Sequence, residues 1–136
     1  MDLVRKDGEK IRTRKAESAS ATVIPAGSFV EIDAGGLIIK ATATAAKLAY
    51  CPNGKLTGVT TVDITVGNDF TVLVAGNVVF AKAQRGLDYD LIVPGGVQKV
   101  NQSASTLKVL TIAPTLDAGV VGSANNIEVR IAKPIF

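Results

Sequence analysis

The sequence predicts an all-β fold: a single-domain β-sandwich or small barrel with an extended N-terminal arm. Three observations predict it. Val62, Ile64 and Val66 alternate with Asp63 and Thr65, the two-residue period of a half-buried strand. Hydrophobic residues make up 47% of the chain and aromatics only 4%, so the core must be built from Val, Ile, Leu and Ala, and strand-favouring Val and Thr are abundant. Thirteen glycines supply tight turns, and these divide the chain into about nine or ten short strands, the spacing of a sandwich or barrel. A chain of 136 residues fits one domain. It buries enough surface on folding to need neither metal nor disulfide.

Taken in order, residues 1–21 read as a flexible basic arm and residues 22–136 as the β domain. The arm has few apolar residues and ends in the small, polar run Ala16-Glu17-Ser18-Ala19-Ser20-Ala21, a composition that does not fold alone. Its first fifteen residues hold six basic and three acidic side chains, so the whole net charge of +3 sits there and the remainder is neutral. Fully extended, the arm reaches roughly 70 Å. It is either a basic tail or a docking arm that orders on a partner, and Ile11-Arg12-Thr13-Arg14 is compatible with a strand added to a partner sheet.

Within the domain, Ser28 to Asp33 predicts a strand, Ala34-Gly35-Gly36 a turn and Leu37 to Thr42 the returning strand. Thr42 to Ala49 fits a loop or a single helical turn. Pro52-Asn53-Gly54 suits a type I turn with a bulge. Beyond the alternating Val62–Val66 run, Phe70 to Ala75 predicts a strand. Gly76-Asn77 suits a type II′ turn, and Val78 to Lys82 then returns as its partner. That register puts Val72, Val74, Val79 and Ala81 on one face and Leu73, Ala75, Val78 and Phe80 on the other. A hairpin apolar on both faces belongs at the centre of the domain or under another subunit.

Tyr89 to Val93, Val97 to Val100, Thr106 to Ala113 and Asn126 to Ala132 predict the remaining strands, with Pro94-Gly95-Gly96 a turn and Pro114 to Asn125 a long loop. Ile135 and Phe136 are apolar, which predicts that the C-terminal segment is tied down.

The residue inventory argues against catalysis. With no His and one Cys, Ser-His-Asp and Cys-His arrangements and His- or multi-Cys zinc sites are excluded. Cys51 reads as a small buried hydrophobe. Gly119-Val120-Val121-Gly122 lacks the lysine of a phosphate loop. Asp88 and Asp90 share one strand face and read as a solvated pair rather than an acid–base or calcium site. No cofactor or metal is expected. The arm has no aromatic to stack on a base and the chain beyond residue 15 has no net charge, which argues against nucleic acid as the partner. No apolar run reaches the roughly 18 residues a membrane helix needs, and the basic N-terminus lacks the apolar segment of a secretory signal.

Two stretches resemble the head decoration proteins of tailed phages. Val23-Ile24-Pro25-Ala26-Gly27-Ser28-Phe29-Val30, followed by Gly35-Gly36-Leu37-Ile38-Ile39-Lys40, is similar to that family's P-A-G-T-hydrophobic start and its next strand. Thr71-Val72-Leu73-Val74-Ala75-Gly76-Asn77-Val78 is similar to its T-V-L-V-x-G-x-V segment. The resemblance covers Val23 to Lys82, and the chain continues past it through Asp88 to Phe136, beyond the length of many family members. It implies a β-tulip-like, non-enzymatic protein on the outside of a phage head. Such a protein is made in the host cytoplasm, forms trimers and stabilises the shell through contacts with the major capsid protein. The capsid-binding arm would then use Leu3, Val4, Arg5, Lys6, Lys10, Ile11, Arg12, Arg14 and Lys15, and the subunit interface Leu73, Val78 and Phe80. The competing expectation is another β-rich minor virion protein or a carbohydrate-binding module for a host surface.

Overall fold

A computed structural model describes residues 11–113 and 127–136, and the backbone of residues 2–5. The described residues form an all-β domain. Its strands are β1 (Asp2–Arg5), β2 (Thr13–Glu17), β3 (Ser28–Ile32), β4 (Ile38–Lys40), β5 (Ala49–Cys51), β6 (Thr61–Thr65), β7 (Phe70–Gly76), β8 (Asp88–Ile92), β9 (Lys99–Asn101), β10 (Leu110–Ile112) and β11 (Ile127–Ile131). The helical pieces among them are two three-residue 3-10 turns, Lys82–Gln84 and Pro94–Gly96. Neither is long enough to cross a membrane.

Strand β7 is the seam of a small barrel. One edge pairs antiparallel with β11 (Val72 opposite Val129, Val74 opposite Ile127). The order continues β11-β10-β8-β9, and β9 returns to β7 in parallel through Ala75–Lys99 and Gly76–Val100, closing the ring. The part of that edge β9 does not reach pairs with β1, Asp2 opposite Leu73 through Arg5 opposite Phe70. Alternation along β7 sends Phe70, Val72 and Val74 into the barrel, where Ile127, Val129, Ile131, Leu110 and Ile112 meet them.

A second layer covers one side of the barrel. Strand β3 pairs with β4 and β5, and β5 and the first three residues of β3 are buried on both faces. Phe29 and Tyr50 pack into the barrel cluster, while Val30, Ala49 and Cys51 pack with Val62 and Ile64 of β6. The aromatic chain Phe29–Tyr50–Phe70, with ring centroids 6.1 and 6.4 Å apart, ties this middle layer to β7. The β3–β4 hairpin turns where expected. The Asp33 carboxylate accepts the Gly35 and Leu37 N–H groups, and Gly36 takes φ +82°. The C-terminal segment is tied down as predicted: Leu48 N–H donates to Lys133 O, Ile135 N–H to Leu48 O and Gly67 N–H to Phe136 O.

Four expectations need correction. First, Val78 to Lys82 is not a strand and the Gly76-Asn77 hairpin does not form. Gly76 stays out of the positive-φ region a type II′ turn requires. It is glycine because a Cβ would lie 2.8 Å from the Phe80 ring and 2.9 Å from the Val78 carbonyl. The chain folds back, exposing Val78 and Val79 and burying Phe80 against Tyr89. An amide network fixes this path. Asn77 donates to the Asn101 side chain, and Gln102 donates to Val79 O and to Gln84 Oε1.

Second, the arm is part of the folded body over much of its length. Strand β2 pairs residue for residue with β6, and the buried Ser18 hydroxyl donates to Ile38 O. The small inward side chains Ala16 and Ser18 let the backbones approach, which a reading by hydrophobicity misses. Third, Asp90 is buried rather than solvated: one carboxylate oxygen accepts both the Leu107 and Lys108 N–H groups, each at 2.8 Å. Fourth, the Thr106–Ala113 strand is cut to Leu110–Ile112, because Lys108 adopts φ +55° under that carboxylate. The predicted Pro114–Asn125 loop and Gly119-Val120-Val121-Gly122 lie outside the described residues.

Candidate docking surface

Three of the basic residues expected in the arm, Arg12, Arg14 and Lys15, form an exposed strip along β2 and the residue before it, with Arg12 and Arg14 on one face of the strand and Lys15 on the other. Arg12, Thr13, Arg14, Lys15 and Glu17 are exposed, while Ile11 is half-buried against the barrel core. The Arg14 guanidinium lies 4.4 Å from the centroid of the Phe136 ring. A cation–π contact at such an exposed site contributes about 0.5–1 kcal/mol and orients the charge. Lys15 reaches the Asp63 carboxylate at 3.3 Å across the β2–β6 pair. Both side chains are well exposed, so solvent screening leaves that pair little stabilising value. Two adjoining grooves flank the strip. One, of about 570 Å³, is lined by Ile11, Arg12 and the Val66–Phe70 segment. The other, of about 620 Å³, is lined by Val66 and the Ile11–Arg14 run.

The remaining arm residues are spread out. Leu3, Val4 and Arg5 stand in β1, opposite Val72, Thr71 and Phe70. Lys6 and Lys10 lie outside the described residues. The three expected interface residues are not brought together: Leu73 is half-buried on the outer face of the barrel, Val78 is exposed, and Phe80 is fully buried in the chain's own core.

Three buried polar side chains cross-link the fold; the sequence pattern gives no sign of Lys55 and Gln98, and it misplaces Asp90 at the surface. Lys55 is buried, and its ammonium donates to Ala19 O at 2.9 Å and Val59 O at 2.7 Å, joining the residues after β2 to the turn before β6. Gln98 and Asp90 satisfy buried backbone groups in the same way. No local pattern marks such residues, because their partners are distant in sequence. Cys51 is fully buried as predicted, and burial pushes its thiol pKa up. Among the described residues no three His, Cys, Asp or Glu side chains gather as a metal site. Comparison with protein-family models, with curated proteins and with solved structures finds no match.

Proposed function

We propose that this chain is a non-enzymatic structural protein that docks on the outside of a phage head, contacts the major capsid protein and stabilises the shell, acting as a trimer. The observation that carries the reading is the strip Arg12, Arg14 and Lys15, displayed on a strand that is hydrogen-bonded to a compact body. The charge excess of the chain is thereby concentrated in its N-terminal fifteen residues while the rest is neutral. A rigid cationic strip beside open grooves is suited to an acidic protein surface, where it speeds encounter and sets orientation. The resemblance of Val23–Lys82 to decoration proteins supplies the class of partner.

The aromatic side chains weigh against the carbohydrate-binding alternative. Phe29, Tyr50, Phe70, Phe80 and Tyr89 are buried, and Phe136 is covered by Arg14. Phe136 is thus the one aromatic left at the surface, and no second exposed ring stands beside it to build a stacking platform for a sugar. The test is to mix the purified chain with undecorated heads and image them by electron microscopy. Added density at regular positions on the outer surface is expected. Bare shells at saturating protein would overturn the reading.

A further inference from the structure

The β2–β6 register determines which backbone groups of β2 are spoken for. Val66 N–H donates to Arg12 O and Ser18 N–H donates to Thr60 O at the two ends of the pair. In an antiparallel ladder the hydrogen-bonded positions alternate. Arg14 and Ala16 therefore bond to β6, while Thr13, Lys15 and Glu17 turn their N–H and C=O groups the other way. Those six groups have no hydrogen-bond partner among the described residues. All three residues are exposed, and a groove of about 620 Å³ runs beside the first part of the strand. Among the described residues this is an open sheet edge with its donors and acceptors in place.

We propose that this edge receives an extended acidic segment of the partner, which adds as a third strand beside β2. The proposal rests on the docking function above and names the chemistry of its contact. Charge selects the occupant. The run Arg12–Glu17 carries three cations and one anion, so an incoming strand with carboxylates gains cross-strand pairs. A second copy is disfavoured: antiparallel pairing along the full length of β2 centres on Lys15 and sets Lys15 against Lys15, and parallel in-register pairing stacks Arg14 on Arg14 as well. Like charges directly opposite are destabilising. The chain's own strand thus serves as a template, with β6 holding one edge and the partner taking the other.

The test titrates the full chain with a short synthetic peptide of alternating valine and aspartate, with a matched peptide of valine and lysine, and with the acidic peptide N-methylated at alternate residues. The acidic peptide should bind, more weakly as salt is added, and should slow amide exchange at Thr13, Lys15 and Glu17. The lysine and N-methylated peptides should not bind. Lys15→Pro removes an outward N–H and the side-chain contact with Asp63, which Lys15→Ala also removes, and spares every backbone bond to β6, since proline is tolerated on an edge strand with its nitrogen facing out. That variant should weaken acidic-peptide binding by about tenfold, and Lys15→Ala, which keeps the N–H, by less. Equal binding of all three peptides, or of Lys15→Pro and the wild type, overturns the proposal. So does sedimentation showing that the chain self-associates through this edge and that Lys15→Pro abolishes it. The peptide titration is independent of heads: if the chain binds the acidic peptide but leaves heads bare, the docking function fails and the edge stands. If Lys15→Pro decorates heads like the wild type, the edge is wrong and the function stands.

Discussion

Gln98 holds Phe29 as a neighbouring strand would. Its side-chain oxygen accepts the Phe29 N–H at 2.8 Å and its side-chain nitrogen donates to Phe29 O at 2.9 Å, with a second bond to Ala41 O at 3.1 Å. The amide continues the β3 ladder past the end of β4 and joins the middle layer to the segment leading into β9. All of it is buried, so loss of the amide strands the Phe29 N–H without water. Gln98→Ala should cost about 2–4 kcal/mol, combining an unsatisfied buried donor with a cavity. Urea unfolding checks this. A loss near the surface-substitution level of about 0.5 kcal/mol would show that water replaces the amide.

Folding and assembly are separable at two residues in the segment after β7. Phe80 is fully buried, its ring against Tyr89 and the Gly76 backbone, so Phe80→Ala should cost about 3–5 kcal/mol whatever the oligomeric state. Gly76→Ala should also destabilise, because the Val78 carbonyl beside the new methyl is backbone and cannot swing away. Val78 is exposed, so Val78→Asp should leave the unfolding midpoint nearly unchanged. Light scattering then decides whether Val78 belongs to a subunit contact. A trimer intact in Val78→Asp removes it from the interface.

The same region shows what local pattern can and cannot reveal. The β3–β4 hairpin was legible because Asp33, Gly35 and Gly36 carry its turn chemistry in seven consecutive positions or fewer. The alternation of β6, β7 and β11 was legible because each has one face on a core. Gly76-Asn77 misled because a glycine that admits a nearby ring looks, in sequence, like a glycine that supplies positive φ. The barrel closure, β7 with β9 in parallel, leaves no local mark, nor do the long-range bonds of Lys55, Gln98 and Asp90. The basic strip was legible as composition, but its placement on a paired strand was not, since Ala16 and Ser18 do not announce a buried face.

Asp90 and Lys108 form a strained bend whose two halves can be tested against each other. The Asp90 carboxylate accepts the N–H groups of Leu107 and Lys108 and holds Lys108 at φ +55°. A left-handed conformation costs a non-glycine residue roughly 1–2 kcal/mol. Lys108→Gly should therefore gain up to about 1 kcal/mol after its extra chain entropy. Asp90→Ala should lose about 1–3 kcal/mol. Thermal melts of both variants and of the pair measure the coupling. A destabilising Lys108→Gly would show that the lysine side chain matters more than its backbone angle.

Cys51 should behave as a buried hydrophobe with a pH signature. Burial raises its thiol pKa, so the folded state resists ionisation that the unfolded chain undergoes freely. The sign follows: its contribution to stability is complete below the unfolded thiol pKa and is lost as pH rises through the folded value. A maleimide should label Cys51 only on unfolding, and Cys51→Ala should flatten the alkaline loss of stability. Rapid labelling of the native protein at neutral pH would overturn this reading.

The basic strip should govern encounter with the partner without governing the fold. Arg12 and Arg14 are exposed and Lys15 is only weakly engaged by Asp63. Replacing Arg12 and Arg14 with serine removes two charges while leaving the β2–β6 backbone ladder and the inward Ala16 and Ser18 contacts in place. Loss of the Arg14–Phe136 contact should cost about 0.5–1 kcal/mol, so the variant stays folded. Deleting residues 1–15 is a poorer probe, because it removes Thr13, Arg14 and Lys15 from their pairing with Thr65, Ile64 and Asp63, as well as β1 from the edge of β7. Docking of the wild type should weaken as ionic strength rises, since exposed charges are screened beyond a Debye length of about 8–10 Å. The double serine variant should associate more slowly than the wild type at low salt and show a flatter salt dependence, with dissociation less affected. Stopped-flow or surface-binding kinetics on undecorated heads makes the measurement. Identical association rates and salt slopes for the two proteins would show that the strip does not steer docking.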